Sequence, residues 1–322
     1  MGLWRSVVTP SLRFVACVES GVLEQKARLL VSSIRRFGGA WADAPIDTFA
    51  PRAGRAIGSA TQAFLDAHGV THHDEVLNAG FDEYGVGNKI FAAARAEELA
   101  TEEFVVFLDT DTVILSEPDA LALPDGIDAA VRPVEFHRWH EPPDGDARWE
   151  TRHRRASSAG DGDRFDHYWL RMYDLCGVTT RPFVETSCDR ARIRAYANSG
   201  LVAVRRTAGV FAQWRHDFLN LAAASHRPDG DMHYMDQLSL AATLARIWDR
   251  VQLLDGRYNY PLVGRPLLAE PLRSARLDEL VHVHYNRYFH VDGFLASLQP
   301  PLERDGEVVG WLEQQLPLPE QP

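Results

Sequence analysis

The fold prediction depends mainly on residues 102–116, EEFVVFLDTDTVILS. Its first part, Phe104–Leu108, is wholly apolar, rich in Val and Phe, too short for a helix and flanked by charged residues. Such a run is typical of a central β-strand that is buried on both faces of a sheet. The strand leads into Asp109 and Asp111, so the sequence predicts two acids at the carboxyl edge, where α/β proteins bind ligands.

The two acids are spaced for joint binding. Alternate residues of an extended segment point the same way, so the carboxylates of Asp109 and Asp111 are expected to face one point. Two such carboxylates repel each other unless a cation lies between them, and we therefore predict a divalent metal. The alternative is a polar strand end with two solvated aspartates.

The composition is ordinary for a soluble globular protein, with 45% hydrophobic and 25% charged residues in a chain of 322. This length can form one large α/β domain or two smaller ones. The net charge of −11 argues against a nucleic-acid partner, because a polyanion needs a basic surface. Arginine supplies nearly all the positive charge; the only lysines are Lys26 and Lys89, which makes Lys89 notable.

Three widely spaced cysteines, Cys17, Cys176 and Cys188, indicate neither a disulfide framework nor a zinc site. No apolar run approaches the ~18 residues of a membrane-spanning helix. The amino terminus lacks the apolar core of a signal peptide. We therefore expect a cytoplasmic protein with no transmembrane segment.

Strands and helices alternate in residues 12–115. This order predicts a largely parallel, Rossmann-like sheet with helices on both faces. It also predicts a nucleotide-binding half, in which the loops at the carboxyl ends of the strands form the site. The strands are predicted at residues 12–18, 45–51, 70–77 and 104–108, and the helices at 23–37, 61–68 and 88–100.

Beyond this half, residues 135–164 lack periodicity and are predicted to be an irregular insertion. Further strands are predicted at 129–134, 201–204, 251–254 and 280–285, and helices at 165–176, 210–224, 231–245 and 309–315. The strand at 280–285 alternates apolar residues with His282 and His284, which puts both histidines on one face.

Two carboxylates underfill the coordination shell of a metal ion, so a third ligand is expected. His284 is the candidate imidazole for Mn²⁺, which accepts mixed oxygen and nitrogen donors, and His282 on the same face is the alternative. Lys89 opens a helix, where a lysine and the helix amides together suit a phosphate, although most such lysines lie on the surface.

Two further polar motifs suit a sugar. Asn198-Ser199-Gly200 puts two hydrogen-bonding side chains and a small residue at a strand start, where a polyhydroxylated ligand can approach the backbone; a plain turn would look similar. Asp236-Gln237 lies at a helix start, where contact with a sugar hydroxyl and helix capping are comparable interpretations.

In chain order, these motifs resemble those of nucleotide-sugar glycosyltransferases with the GT-A fold. Over residues 12–289 the chain looks most like the retaining branch that contains glycogenin and bacterial lipopolysaccharide galactosyltransferases. The resemblance implies an α/β GT-A fold, with a mostly parallel central sheet flanked by helices and a DxD motif at a strand end, and hexosyltransferase activity. It is carried by Lys89 with its helix, VVFLDTD at 105–111, Asn198-Ser199-Gly200, Asp236-Gln237 and the late His284.

The resemblance implies a donor site built around the acid pair. Asp109 would contact the donor ribose and the metal, with Asp111 and His284 as the other metal ligands. Lys89 would contact the donor diphosphate, and Thr110 would lie in the donor site. This branch typically uses UDP-sugars with Mn²⁺, and Mg²⁺ is the alternative ion.

The resemblance also implies a sugar-binding side of the site. Asn198, Asp236 and Gln237 would contact the donor sugar and are the predicted catalytic residues, and Ser199 and Gly200 would complete the donor site. If the anomeric configuration is retained, the departing phosphate oxygen can take the acceptor's proton. If it is inverted, a carboxylate must take that proton, and Asp236 is the candidate.

One departure from the branch lies near the carboxyl end. The branch usually has Gly and Lys shortly after the His, whereas this chain has Asn286-Arg287-Tyr288, so Arg287 is the predicted replacement for the diphosphate-binding lysine. We predict a single catalytic domain with a C-terminal tail and an acceptor of open class (glycan, lipid, protein or small molecule). The boundaries are 1–295 for the domain, 12–115 for its nucleotide-binding half, 116–290 for its donor-sugar and acceptor half with an insertion at 135–195, and 296–322 for the tail.

Three other functions compete with this one. A haloacid-dehalogenase-type phosphatase would use Asp109 as nucleophile, but it needs a lysine downstream, and none follows Lys89. A nucleotidyltransferase needs a Gly-rich basic loop after its first strand, where this chain has the acidic Glu19-Ser20-Gly21. A carbohydrate-binding protein with a degenerate fold is expected to have lost one of the two acids; both are present, which favours an enzyme.

Overall fold

The structure is a computed structural model that describes residues 10–135, 166–188, 190–227, 232 and 234–319. Residues 136–164 of the predicted insertion lie outside the described residues, as do residues 165 and 231, where two helices were predicted to start. Within the described ranges, no helix is both long and apolar enough to cross a membrane.

The described residues form twelve strands arranged in three sheets. They are β1 Leu12–Cys17, β2 Ile46–Phe49, β3 Val70–His73, β4 Phe104–Leu108, β5 Thr112–Ile114, β6 Ala129–Pro133, β7 Phe183–Glu185, β8 Arg192–Arg194, β9 Ala197–Arg205, β10 Val251–Leu253, β11 Tyr260–Pro261 and β12 His282–His284. The central sheet has the order β10-β6-β9-β4-β1-β2-β3. A small sheet has the order β11-β12-β5, and β7 pairs with β8.

Helices cover both faces of the central sheet. The α-helices in the described ranges are α1 Val22–Phe37, α2 Ser59–Ala67, α3 Asn88–Leu99, α4 Asp166–Leu175, α5 Val210–Ala223, α6 Met235–Arg246, α7 Phe294–Ser297 and α8 Glu307–Gln315. Alternate residues of β4 join separate apolar clusters, because successive strand residues point to opposite faces. Val105 and Phe107 pack with α3, α5 and α6, whereas Val106 and Leu108 pack with α1 and α2.

The direction of β9 differs from that of the other central strands. It runs antiparallel to β4 and β6, and the remaining pairs in this sheet are parallel. The predicted α/β fold with a mostly parallel sheet flanked by helices is therefore confirmed. The strand is longer than predicted, because Ala197 pairs with Pro133 and Gly200 O accepts a hydrogen bond from Asp109 N at 2.9 Å. Asn198 and Ser199 thus lie inside β9, not in a turn before it.

The acid pair lies in a turn, so the prediction of an extended segment at 109–111 is wrong. The chain turns here because β5 leaves the central sheet and pairs antiparallel with β12. The Thr112 hydroxyl donates a hydrogen bond to Asp109 O at 2.6 Å, which stabilises the turn. In the small sheet Thr112 pairs with His284, so the strand pairing brings this histidine beside the acids.

The carboxyl-terminal residues pack against the small sheet. Phe294 of α7 and Trp311 and Leu312 of α8 belong to one apolar cluster with Val283 and Tyr285. The predicted tail after residue 295 therefore contributes buried side chains to the same core as β12. The domain boundaries given above stay predictions.

Candidate active site

Asp109, Asp111 and His284 come together at the carboxyl edge of β4. One carboxylate oxygen from each aspartate and one ring nitrogen of the histidine all lie within 4.8 Å of one another. His284 Nε2 is 3.2 Å from Asp111 Oδ1. All three residues are partly exposed, so a ligand can reach them. Two carboxylates and an imidazole form a donor set that suits a divalent transition metal.

Gly200 lets β9 approach His284 closely. A Cβ atom built at Gly200 would lie 2.9 Å from His284 Nδ1 and Cε1, closer than side chains tolerate. The glycine predicted for the donor site is therefore needed for the packing of the His284 imidazole.

His282, the alternative third ligand, lies elsewhere. It is fully buried, and its Nδ1 accepts a hydrogen bond from Asn259 N at 3.2 Å. Burial lowers the pKa of His282 well below its usual value. The structure brings His284 to the acid pair and leaves His282 in the core.

Lys89 contacts Asp109, the first residue of the acid pair. Its ammonium donates to Asp109 Oδ2 at 2.8 Å and to Ser199 Oγ at 3.1 Å, and it is 3.5 Å from Asp236 Oδ2. Burial would lower the pKa of Lys89, but the carboxylates of Asp109 and Asp236 raise it above its usual value. Lys89 therefore stays charged at neutral pH, which its predicted role in phosphate binding requires.

Asp236 is held inside a hydrogen-bonded chain. It is 1% exposed, its Oδ2 accepts from Ser199 Oγ at 2.6 Å, and its Oδ1 accepts from the Tyr84 hydroxyl at 2.9 Å. Its own backbone N–H donates to the Tyr84 oxygen at 3.0 Å. Tyr84 was not predicted from the sequence, because 152 residues separate it from Asp236.

Lys26 of α1 is a second cation at the acid pair that the sequence analysis did not assign. Its Nζ is 3.7 Å from Asp111 Oδ2, and its side chain is 11% exposed. Burial would raise the pKa of Asp111, but His284 and Lys26 hold it below its usual value. Burial raises the pKa of Asp109, because Lys89 offsets only part of that effect. The only available signal was the rarity of lysine in the chain.

The remaining predicted residues differ in position. Asn198 is partly exposed, and its Oδ1 accepts from Gly200 N at 2.8 Å. Gln237 is also partly exposed, next to the buried Asp236, and Thr110 O accepts from the Tyr285 hydroxyl at 3.3 Å. Arg287 is exposed; its guanidinium lies 5.9 Å from the Tyr288 ring, and within the described part of the chain no ion pair joins it to the acid pair.

A buried arginine supports the loop beside His284. Arg132 Nη1 donates to Tyr258 O at 2.9 Å and to Asn259 O at 3.1 Å. The same nitrogen is 4.0 Å from Glu135 Oε1, and burial raises the pKa of that carboxyl. Neither residue stood out in the sequence, because no local motif contains them.

The fold is of the GT-A type that solved glycosyltransferases have. Residues 14–247 match the Rhodobacterales glycosyltransferase domain, and this range is more than half of the chain. The protein therefore belongs to the family of Rhodobacterales glycosyltransferases. No curated protein matches the sequence significantly.

The comparison with solved structures found several glycosyltransferases. The galactosyltransferase LgtC, solved with donor and acceptor sugar analogs, is 14% identical with a TM-score of 0.51; the match covers 94% of this chain and 96% of LgtC. The bifunctional glycosyltransferase WbbM is 12% identical with a TM-score of 0.48, and 96% of this chain spans 52% of that chain. GlyE of Streptococcus pneumoniae TIGR4 is 14% identical with a TM-score of 0.46, at 96% and 61% coverage.

Proposed function

We propose that this glycosyltransferase moves a hexose from a UDP-sugar to an acceptor hydroxyl, with retention of configuration and with a divalent metal. The observation that carries the proposal is the convergence of Asp109, Asp111 and His284 within 4.8 Å, with the charged Lys89 on Asp109. When a nucleoside diphosphate leaves a sugar, negative charge builds on its phosphates. Cations stabilise this charge, and the acids would hold the metal cation in place. The uridine base rests on the resemblance of the motifs to the retaining branch.

The donor atoms fit a divalent ion. Mn²⁺ accepts carboxylate oxygens together with an imidazole nitrogen, whereas Mg²⁺ prefers oxygen ligands, so Mn²⁺ is the better match to Asp109, Asp111 and His284. Three protein ligands leave further coordination positions for oxygens of the diphosphate. The bound ion would act as a Lewis acid that neutralises the leaving group.

The chain's own residues would divide the donor between them. Lys89, protonated and 2.8 Å from Asp109, would hold the diphosphate. Asn198 and Gln237, both partly exposed, would hydrogen-bond the hexose. Ser199 and Asp236 would keep Lys89 in position and charged, because both contact its ammonium.

Retention is supported by the surroundings of Asp236. An inverting enzyme needs a carboxylate that reaches the acceptor hydroxyl. Asp236 is 1% exposed and already accepts hydrogen bonds from Tyr84 and Ser199. In the proposed reaction the bond from the anomeric carbon to the phosphate oxygen breaks, the bond to the acceptor oxygen forms, and the departing phosphate oxygen takes the acceptor's proton.

Thermal unfolding with nucleotides tests the donor and the metal. The protein is heated with UDP, GDP, ADP or dTDP, each with Mn²⁺ or EDTA, as wild type, Asp111→Asn and the control Asp125→Asn, whose side chain is exposed. A nucleotide at about 100 times its dissociation constant stabilises the fold by about 2.7 kcal/mol. We expect a Mn²⁺-dependent shift with UDP in wild type and control, and none in Asp111→Asn.

Two other outcomes of this experiment would change the proposed donor or the proposed activity. A shift with another nucleotide would correct the base and keep the mechanism. No shift with any nucleotide, together with hydrolysis of a phosphate monoester that requires Asp109, would favour the phosphatase alternative.

A further inference from the structure

The two lysines of this chain both lie at the acid pair. Of 34 basic residues, only Lys26 and Lys89 are lysines, and they are far apart in the sequence. Lys89 is 2.8 Å from Asp109 and Lys26 is 3.7 Å from Asp111, so each aspartate has one ammonium group beside it. Two ordinary surface lysines would not be expected to lie at the same site.

Lys26 is built into this position. It lies near the amino end of α1, and its side chain is 11% exposed. Its ammonium faces Asp111 Oδ2, while His284 Nε2 is 3.2 Å from Oδ1 of the same carboxylate. At 3.7 Å the contact with Asp111 is an ion pair but longer than a hydrogen bond, so among the described residues the ammonium donors stay available to a closer acceptor.

The local charge balance favours an anion beside Lys26. The carboxylates of Asp109, Asp111 and Asp236 face two ammonium groups, so these residues alone carry one net negative charge. A divalent metal would change this to one net positive charge, which complements a diphosphate. Without Lys26 the same site with its metal would be neutral and would attract the diphosphate less.

The choice of lysine is also informative, because arginine is used almost everywhere else in the chain. An ammonium is compact, has three rotatable donors and sits on a flexible stem, whereas a guanidinium is a rigid planar fork. A lysine can therefore move from a carboxylate to a nearby phosphate oxygen with small changes in its rotamer. Arg287, the sequence-based candidate for this task, is exposed and lies against Tyr288.

We propose that Lys26 is a second phosphate-binding residue, which contacts the donor diphosphate on the Asp111 side as Lys89 does on the Asp109 side. The assignment rests on the proposed function, because it requires a nucleoside diphosphate and a metal at this site. It gives α1 a direct part in donor binding and replaces Arg287 as the partner of the leaving group.

Calorimetric titration of the full-length protein with UDP and with UMP, both with Mn²⁺, tests this assignment. The variants are Lys26→Met, Lys26→Arg and the control Arg36→Met, which removes an exposed cation from the same helix. We expect Lys26→Met to lose about tenfold in UDP affinity and much less in UMP affinity, because a charge-assisted hydrogen bond to the second phosphate is lost. Lys26→Arg should recover part of the loss, and Arg36→Met should match wild type.

Binding of Mn²⁺ alone, followed by electron paramagnetic resonance of the free ion, gives a second readout. Lys26→Met should bind Mn²⁺ more tightly than wild type, because an ammonium 3.7 Å from a ligand carboxylate repels the ion. An unchanged ratio of UDP to UMP affinity would overturn the role of Lys26 and leave the proposed function intact. Wild type that binds neither UDP nor Mn²⁺ would overturn both. If Lys26→Met does not fold, the ratio of UDP to UMP affinity is measured with Lys26→Gln instead.

Discussion

The side-chain oxygen of Asn259 lies 3.2 Å from Nδ1 of His284, the imidazole beside the acid pair. An amide oxygen only accepts hydrogen bonds, so His284 Nδ1 carries a proton, and Nε2 is the ring nitrogen that would bind a metal ion. The same Asn259 has a left-handed backbone with φ of 44°, and Arg132 donates a hydrogen bond to its carbonyl. One buried residue thus fixes the orientation of the imidazole that we assign to the metal.

Removal of the Asn259 side chain should weaken metal binding. Asn259→Gly keeps the left-handed backbone accessible, whereas alanine would add strain. We expect Mn²⁺ affinity to fall by about tenfold or more, because partners of metal-binding histidines have effects of this size. Electron paramagnetic resonance of free Mn²⁺ measures the change. Asn259→Asp retains an acceptor and should bind Mn²⁺ better than Asn259→Gly; equal affinity in wild type and Asn259→Gly would contradict the role.

A methyl group at position 200 should displace His284. In Gly200→Ala the new Cβ would lie 2.9 Å from the imidazole and 3.0 Å from Asn198 Oδ1, so these side chains must move. We expect loss of Mn²⁺ affinity in the same resonance assay. The control is Gly310→Ala in α8, where a Cβ meets no atom within 4 Å. There alanine should stabilise the helix by about 0.5–1 kcal/mol and leave metal binding unchanged.

Loss of the Tyr84 hydroxyl should destabilise the fold. In Tyr84→Phe, Asp236 Oδ1 loses a donor at 2.9 Å and Asp236 N loses its acceptor at 3.0 Å. Because both groups are buried, we expect the free energy of unfolding to fall by about 1–3 kcal/mol in chemical denaturation. Tyr288→Phe, at a partly exposed ring, is the control. A Tyr84→Phe protein as stable as wild type would show that the chain of bonds around Asp236 contributes little.

Low pH should weaken an ion-pair cluster near the amino end of β1, away from the candidate active site. The Arg13 guanidinium, with Nε 2.7 Å from Glu102 Oε2, lowers the pKa of that carboxyl. A carboxyl with a lowered pKa in the folded state contributes stability above its unfolded pKa and loses it as the pH falls through the folded value. The difference in unfolding free energy between wild type and Glu102→Gln should therefore be full at neutral pH and shrink below about pH 4.3.

The control for this pH series is Glu98→Gln, because Glu98 is 44% exposed and pairs with surface arginines. Exposed ion pairs contribute little, so Glu98→Gln should follow wild type at every pH. A wild-type advantage over Glu102→Gln that grows toward low pH would contradict the assignment.

The stereochemistry of transfer is a direct test of retention. With the donor sugar in its α configuration, proton NMR of the first product should show the α anomer, since the Asp236 carboxylate is buried and already hydrogen-bonded to Tyr84 and Ser199. A β anomer would require a base that reaches the acceptor. In that case Glu135, whose carboxyl has a raised pKa, would be the next residue to replace.

Local patterns predicted the parts of the fold that depend on neighbouring residues. The bounds of β4 were predicted correctly, because an apolar run between charges is a local feature. The antiparallel direction of β9 was not predicted, since strand pairing depends on the path of the chain between Leu108 and Leu201. The turn at the acid pair was missed for a similar reason, because β5 is drawn away by pairing with β12.

The residues of the candidate site likewise divide into those that the sequence predicted and those that it did not. The acid pair, Lys89 and His284 stood out through residue type and order, and the structure brings them together. Lys26, Tyr84 and Asn259 did not stand out, because their contacts join residues far apart in the chain and leave no spacing to recognise. Long-range partners of this kind set the orientation and the charge state of the residues that a motif reveals.

The alternation of side chains along β9 limits how the donor preference of this enzyme can be changed. Asn198 and Ser199 are consecutive strand residues, so they point to opposite faces, and Ser199 alone contacts Lys89 and Asp236. Insertion or deletion of a single residue before Gly200 would exchange these faces and remove the serine from its partners. Changes of sugar preference should therefore be sought by replacing side chains in β9 at constant length.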